Sequence, residues 1–229
     1  MVILGAGESG TGAAILGFVQ GWNVFVSDFG SIDQDSKNEL IDRGIQWEEG
    51  KHTENIILQA DLIIKSPGIS PKVNIVKKCR DHGIRIISEI EFGSWYTKAK
   101  LIGITGTNGK STTTMLTYHL LKEAGLNVGL GGNIGQSFAR QVAQNTYDVF
   151  VLELSSFQLD DCFDLKLDIA CITNITEDHL DRYEYQLTNY INSKMRVGQN
   201  QSKDQYLVYC IDDQLIQSGF QNIEQKAKL

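Results

Sequence analysis

Apolar and polar positions alternate along this chain in two rhythms. Short, largely β-branched runs recur at residues 1–4, 23–27, 62–65, 85–88, 101–105, 128–130, 149–154, 169–174 and 206–210. Between them, apolar side chains return every three or four positions at 12–20, 73–82, 112–124, 137–144 and 187–197. The first rhythm predicts strands and the second predicts helices. Most of the strands are apolar on consecutive positions rather than on alternate ones. Both of their faces must then be covered, which points to parallel sheets lying between helices, an α/β fold. No repeat of fixed period and no low-complexity tract interrupts the pattern.

Two of the strands run straight into glycine loops. The chain opens Val2-Ile3-Leu4 and continues Gly5-Ala6-Gly7-Glu8-Ser9-Gly10, a G-x-G-x-x-G sequence. Glycines there let the backbone turn tightly and approach a pyrophosphate, which then lies against the free N–H groups of a helix N-terminus. Asp28 follows the next apolar strand, well placed to accept from a ribose or a base. The motif fits the diphosphate of a nucleotide without saying which one, and a turn kept only for close helix–sheet packing stays open beside it. A smaller loop, Ser66-Pro67-Gly68, follows the strand at 62–65, at the sheet edge where such folds bind ligands.

The second glycine loop is more specific. Ile104-Thr105-Gly106-Thr107-Asn108-Gly109-Lys110-Ser111-Thr112 leaves one strand and opens a helix. It departs from the strict G-x-x-x-x-G-K-[ST] pattern only at Ile104, where the first glycine would stand. Backbone N–H groups of residues 106–110 are expected to cradle a triphosphate. Lys110 would neutralise its β and γ groups, and the Ser111 hydroxyl would hold Mg²⁺. Glu153, at the end of the strand 149–154, stands where a carboxylate beside a phosphate loop contacts that ion. Thr176-Glu177-Asp178-His179-Leu180-Asp181-Arg182 follows a third strand. His179 there could ligate a metal, with Asp178 or Asp181 orienting it, and a solvated charged loop is the plainer alternative. Lys194, on the helix 187–197, is by default a surface lysine.

Composition narrows the partners. The chain has 229 residues with 21 basic and 28 acidic side chains, a net charge of 21 − 28 = −7. That surplus argues against electrostatic capture of nucleic acid or an anionic membrane. No run reaches the ~20 apolar residues of a membrane span, and no charged-then-apolar leader opens the chain. Cys79, Cys162, Cys171 and Cys210 are scattered without a C-x-x-C pair, which argues against a metal cluster or a disulfide scaffold. The expectation is a cytoplasmic, monomeric protein of two domains, residues 1–93 and 94–229, each with its own parallel sheet and glycine loop. A single sheet bearing both loops is the alternative.

Four segments together resemble the Mur ligase family of cytoplasmic peptidoglycan enzymes. They are Gly-Thr-Asn-Gly-Lys-Ser-Thr at 106–112, Gly-Gly-Asn-Ile-Gly at 131–135, Leu-Glu-Leu-Ser-Ser-Phe-Gln-Leu at 152–159 and Thr-Glu-Asp-His-Leu-Asp-Arg at 176–182. The first is shared by the whole family. The Ser-Ser-Phe-Gln block is similar to the branch that adds D-glutamate to UDP-N-acetylmuramoyl-L-alanine. The resemblance implies an ATP-dependent amide ligase acting through an acyl phosphate. It implies a Rossmann-like UDP-binding domain followed by a P-loop ATPase-like central domain.

Carried onto this sequence, the ATP site comprises Gly106, Thr107, Asn108, Gly109, Lys110, Ser111 and Thr112. Catalytic or metal positions are Lys110, Ser111, Glu153, His179 and Lys194, the last carbamylated by CO₂ so that it offers Mg²⁺ an oxygen. Gly7, Ser9, Gly10, Asp28, Phe29, Ser66 and Gly68 would face the UDP, and Asn133, Ser155 and Gln158 the substrate side. The family often carries a basic residue just after that aspartate, where this chain has Phe29 and Gly30. The resemblance also implies a third, carboxy-terminal domain that nothing after Cys210 supplies. The central domain is then incomplete and the chain a fragment that binds but ligates little. A sister ligase, or an NAD-binding oxidoreductase domain joined to a P-loop domain, stands as the alternative.

Overall fold

The computed structural model describes residues 1–221 and 226–229. Its elements in chain order are β1 (Val2–Leu4), α1 (Glu8–Val19), β2 (Phe25–Asp28), α2 (Gln34–Asp42), β3 (Gln46–Glu49), α3 (Glu54–Ile57), β4 (Leu62–Lys65), α4 (Asn74–Asp81), β5 (Arg85–Ile87) and α5 (Glu89–Ser94). There follow β6 (Lys100–Thr105), α6 (Lys110–Glu123), β7 (Val128–Gly132), α7 (Phe138–Gln144), β8 (Val149–Glu153), α8 (Ser156–Leu159), β9 (Ile169–Ile172), α9 (Leu187–Met195), β10 (Tyr206–Tyr209) and α10 (Gln214–Phe220). The chain divides into two units, Met1–Thr97 with Gln136–Asn145, and Lys98–Gly135 with Thr146–Leu229.

The first unit is built on a parallel sheet in the order β3-β2-β1-β4-β5. Every residue of β1 and β4 is buried, as their unbroken apolar runs require. Because side chains alternate along a strand, Ile3 and Ile64 join a cluster with Val26, Leu40 and Phe92 on one face. Val2, Leu4 and Ile63 meet Val76 and Ile86 on the other. Each such side chain taken fully out of water contributes roughly 1.5–3 kcal/mol. β3 escapes the apolar pattern because Gln46-Trp47-Glu48-Glu49 is polar. It lies at the sheet edge with β2 as its neighbour, and Ser27 and Thr53 hydrogen-bond the buried Glu48.

Residues 136–145, read from the sequence as part of 94–229, pack with the first unit instead. The expected boundary at 93/94 falls inside α5, and the division lies between Thr97 and Lys98. The reason is a set of long-range polar contacts that no local pattern announces. The buried Arg140 guanidinium forks onto Glu8 (Nε–Oε1 2.8 Å, Nη2–Oε2 2.9 Å) and reaches Glu39 at 2.5 Å. The Ser137 hydroxyl and the Ala139 N–H donate to Glu89 Oε1 at 2.6 and 2.5 Å. Burial, set against those two bonds, pushes the Glu89 carboxyl up to about 7.

The second unit carries a parallel sheet in the order β10-β9-β6-β8-β7. β6 sits at its centre with α6 following directly, while β8 and β9 end on either side of the β6–α6 loop. Within the segment 211–229, α10 takes up 214–220, and residues 222–225 lie outside the described residues. Among the described residues no helix is long and apolar enough to cross a membrane.

Candidate functional site

The β6–α6 loop takes a shape that glycine makes possible. Gly109, the residue before α6, has φ +80°, and Gly106 has φ +144°. A Cβ on Gly106 would stand 1.9 Å from Thr173 Oγ1. The loop is tied to the end of β9. Thr107 N donates to Asn174 O at 2.8 Å, Asn108 N to Asn174 Oδ1 at 2.9 Å, and Asn174 Nδ2 returns to Asn108 O at 2.9 Å. Two of the N–H groups expected to cradle phosphate are therefore committed to Asn174. The groups at the start of α6, from Lys110 onward, remain as the natural anion site, since the first turn of a helix has no internal acceptors.

Around this loop lie most of the residues singled out in the sequence. The Ser111 hydroxyl donates to Glu153 Oε2 at 2.6 Å, and Asn133 Nδ2 donates to Glu153 Oε1 at 2.9 Å. Glu153 is buried, so its position at the end of β8 is fixed by packing as well as by these two bonds. A hollow of about 150 Å³ is lined by Lys110, Asn133, Ser155, Phe157, Asp178, His179, Tyr190 and Lys194 among others. His179 takes a left-handed φ of +50°, its N–H donates to Asp178 Oδ1 at 2.8 Å, and its ring lies 5.1 Å from that of Phe157. Thr112 is exposed on the first turn of α6.

Two residues differ from their expected settings. Lys194 is a buried residue, only 2% exposed, and no surface lysine. Its Nζ donates to Gly106 O at 2.7 Å and stands 4.5 Å from the centre of the Tyr190 ring. Burial first, and the neighbouring Lys110 charge second, lower its pKa to about 7. Gln158 is buried too, and its Oε1 accepts from Ser155 N and Oγ at 3.0 Å each in the capping box of α8. That role holds Gln158 in the helix turn and leaves Ser155 at the hollow.

The residues fit Mg²⁺. A hydroxyl and a buried carboxylate 2.6 Å apart are hard oxygen donors of the kind this ion takes alongside phosphate and water. Among the described residues no three His, Cys, Asp or Glu side chains converge as a metal cluster. Any ion there must therefore draw on Ser111 and on phosphate oxygens besides Glu153.

The first unit carries a larger cleft, about 830 Å³, at the carboxyl ends of β1, β2 and β4, where its strand order reverses. Gly7, Asp28, Phe29, Ser66 and Gly68 all line it, as do Gly5, Ile69 and Asn74. Asp28 is held rigidly, with Ala6 N donating to Oδ2 and Gly30 N to Oδ1, each at 2.7 Å. Ser9 and Gly10 do not line the cleft. Gly10 is buried under β1, and a Cβ on it would stand 1.8 Å from the Gly5 carbonyl oxygen, so the third glycine of the motif serves helix–strand packing. His52 and Glu54 also line the cleft, and the sequence reading missed both. They follow β3, the one strand of this sheet without an apolar run.

A central parallel strand enters a glycine loop and a Lys-Ser helix start, with a carboxylate at the end of the next strand, the layout of a P-loop α/β unit. Residues 104–228 match the model of the Mur ligase middle domain, and residues 2–75 match that of the MurD N-terminal domain. The chain belongs to the Mur ligase family. It is 54% identical over 216 residues to the UDP-N-acetylmuramoylalanine–D-glutamate ligase of Bacteroides fragilis, covering 94% of this chain and 49% of that one. Its identity to the enzyme of the same name from Bacteroides thetaiotaomicron is 51%, over all of this chain and 52% of that one. The chain thus spans about half the length of the curated relatives it matches. Among solved structures it shares its fold with a UDP-N-acetylmuramate:L-alanyl-γ-D-glutamyl-meso-diaminopimelate ligase from Neisseria meningitides (TM-score 0.66, 21% identity, 99% of this chain and 76% of that one). The alanine ligase MurC of Thermotoga maritima is similar in the same way (TM-score 0.59, 21% identity, 95% and 50%).

Proposed function

We propose that this chain carries the UDP-substrate and ATP sites of a ligase that adds D-glutamate to UDP-N-acetylmuramoyl-L-alanine in peptidoglycan precursor synthesis. The observation that carries the reading is the arrangement of Lys110, Ser111, Glu153 and Asn133 around the start of α6, in a chain of this family. A carboxylate is a poor electrophile at neutral pH. Transfer of the γ-phosphoryl of ATP onto it makes an acyl phosphate, which the amine of D-glutamate attacks, expelling phosphate and forming the amide. The protein's part is charge neutralisation and alignment. Lys110 and the first N–H groups of α6 hold the phosphates, while Asn133, Ser155 and His179 line the side on which the acceptor carboxylate would lie.

Ser111 and Glu153 would hold Mg²⁺, with His179 and Lys194 as further ligands, and the ion would supply positive charge to the phosphate oxygens. As an ammonium Lys194 would repel that charge. In its buried, cation-crowded setting the neutral amine adds to CO₂, forming a carbamate and releasing a proton, and the carbamate is an oxygen ligand. A carbamate resonance in ¹³C NMR under ¹³CO₂, absent in Lys194→Arg, tests this. The first cleft would hold the UDP moiety, Asp28 and Phe29 at the uridine and Gly7, Ser66 and Gly68 within its reach.

The decisive assay is phosphate release by the intact protein from ATP and UDP-N-acetylmuramoyl-L-alanine, which should require D-glutamate. Release with meso-diaminopimelate instead, or with L-alanine on UDP-N-acetylmuramate, would assign a sister ligase. Tight NAD binding with no response to UDP in calorimetry would favour the oxidoreductase alternative for the first unit.

A further inference from the structure

We propose that His52 reads the base of the nucleotide held in the first cleft, its Nε2 accepting a hydrogen bond from the imide N–H of a uracil ring. The inference rests on the UDP reading given above and adds the residue that selects the base.

The argument begins with a chain of hydrogen bonds. Glu48 Oε1 accepts from Ser27 Oγ at 2.8 Å and from Thr53 N at 2.7 Å, and Glu48 Oε2 accepts from Thr53 Oγ1 at 2.5 Å. Burial pushes this carboxyl up, but the bonds from Thr53 and Ser27 outweigh it and hold the group below the usual range. Glu48 is therefore ionised and can only accept. Ser27 has one hydroxyl proton and gives it to Glu48, so Ser27 Oγ faces His52 Nδ1, 2.7 Å away, as an acceptor. Nδ1 must then carry the ring proton.

The consequence is a fixed tautomer. Burial lowers the His52 pKa below its ordinary 6.5, and the ring stays neutral at pH 7. Nε2 is left as a bare lone pair on a residue that lines the cleft. Beside it Phe29 is 71% exposed, its ring centre 5.7 Å from that of His52, a flat apolar surface on which a base can stack. Of the acidic groups of the cleft, Glu54 is paired with Lys78 at 2.6 and 2.7 Å, and Asp28 already accepts from Ala6 N and Gly30 N, which fixes its place beside His52 and Phe29 at the same end of the cleft. An acceptor locked in this way favours a ring edge that donates. Uracil presents N3–H there, whereas cytosine presents a second lone pair at the same atom.

Calorimetric titration with UDP and with N3-methyl-UDP tests the assignment. Wild type is expected to bind UDP about tenfold more tightly than the methylated analogue. His52→Phe keeps a ring beside Phe29 and should weaken UDP about tenfold, leaving N3-methyl-UDP within about twofold. His52→Gln, whose amide oxygen can still accept, should recover part of the loss. Melting curves report folding of both variants, and the Gln variant serves if the Phe variant melts early. If wild type binds UDP and both variants bind it equally well, the role of His52 is overturned while the cleft remains a UDP site. If wild type binds no UDP, the cleft reading and this inference fall together.

Discussion

After β1 the chain turns through Gly5-Ala6-Gly7 into α1, and after β6 it turns through residues 106–109 into α6. The two turns look alike in sequence and differ in what surrounds them. The first opens on a cleft of about 830 Å³ with Asp28, Glu54 and His52 on its walls and, among the described residues, neither lysine nor arginine. The second opens on a hollow of about 150 Å³ that contains both Lys110 and Lys194. A diphosphate in the first must be held by backbone N–H groups and a helix N-terminus, with selectivity coming from shape and acceptors. In the second, on the reading proposed above, Lys110 would bring positive charge to the phosphates. On that reading a glycine loop would supply backbone access to phosphate, and the neighbouring strand ends would decide whether the site recognises or reacts.

Substitutions can break this contrast one element at a time. Gly10→Ala should be the most damaging, because its Cβ meets backbone at 1.8 Å, and a loss of about 4 kcal/mol in the first unit is expected in chemical denaturation. Gly7→Ala is its control. No atom lies within 4 Å of the added Cβ, so stability should change by less than about 0.5 kcal/mol while UDP binding weakens.

Next comes Glu89, whose carboxyl is raised from 4.5 to about 7 by burial. The unfolded group ionises first, so stability falls as pH rises from about 4.5 to about 7 and levels off above that, by about 3 kcal/mol in all. Glu89→Gln should remove that slope in denaturant midpoints taken at pH 5 and pH 8. An unchanged slope would mean the carboxyl is not buried as described.

In the second unit, Lys110→Ala should lower ATP affinity about a hundredfold in calorimetry and leave UDP binding intact. An equal loss of both would deny that the two sites are separate. A smaller loss, about 1 kcal/mol, is expected from Ser155→Ala, which removes the α8 cap.

What the sequence made legible was contiguous. The P-loop, the G-x-G-x-x-G turn, Asp28 and Glu153 each sit where an apolar strand stops, so a local pattern is enough to find them. What it hid depends on distant packing. Lys194 reads as an exposed lysine until α9 buries it against Gly106 and Tyr190. Gln158 reads as a substrate-side residue, and its buried setting, with Oε1 closing the cap of α8, shows only in the structure. β3 carries no apolar run, and with it the Glu48-Ser27-His52 chain went unseen. The one available signal was a buried-type Trp47 among charges, followed within a few residues by His52 and Thr53. The assignment of 136–145 was hidden for the same reason, since Arg140 finds its partners at Glu8 and Glu39, more than a hundred positions earlier.

That last feature bears on the order in which the protein acquires its structure during synthesis. The first unit takes its final helix from residues 136–145, so a nascent chain that has emerged only to Thr97 still leaves the apolar flank of α1 and α5 uncovered. Strands β6 and β7 are made before that helix arrives. The amino-terminal half therefore cannot finish folding ahead of the sequence that follows it. Ribosome-stalled chains that have emerged only to positions before 136 should stay protease-sensitive within residues 1–97, and those that have emerged past 145 should become resistant.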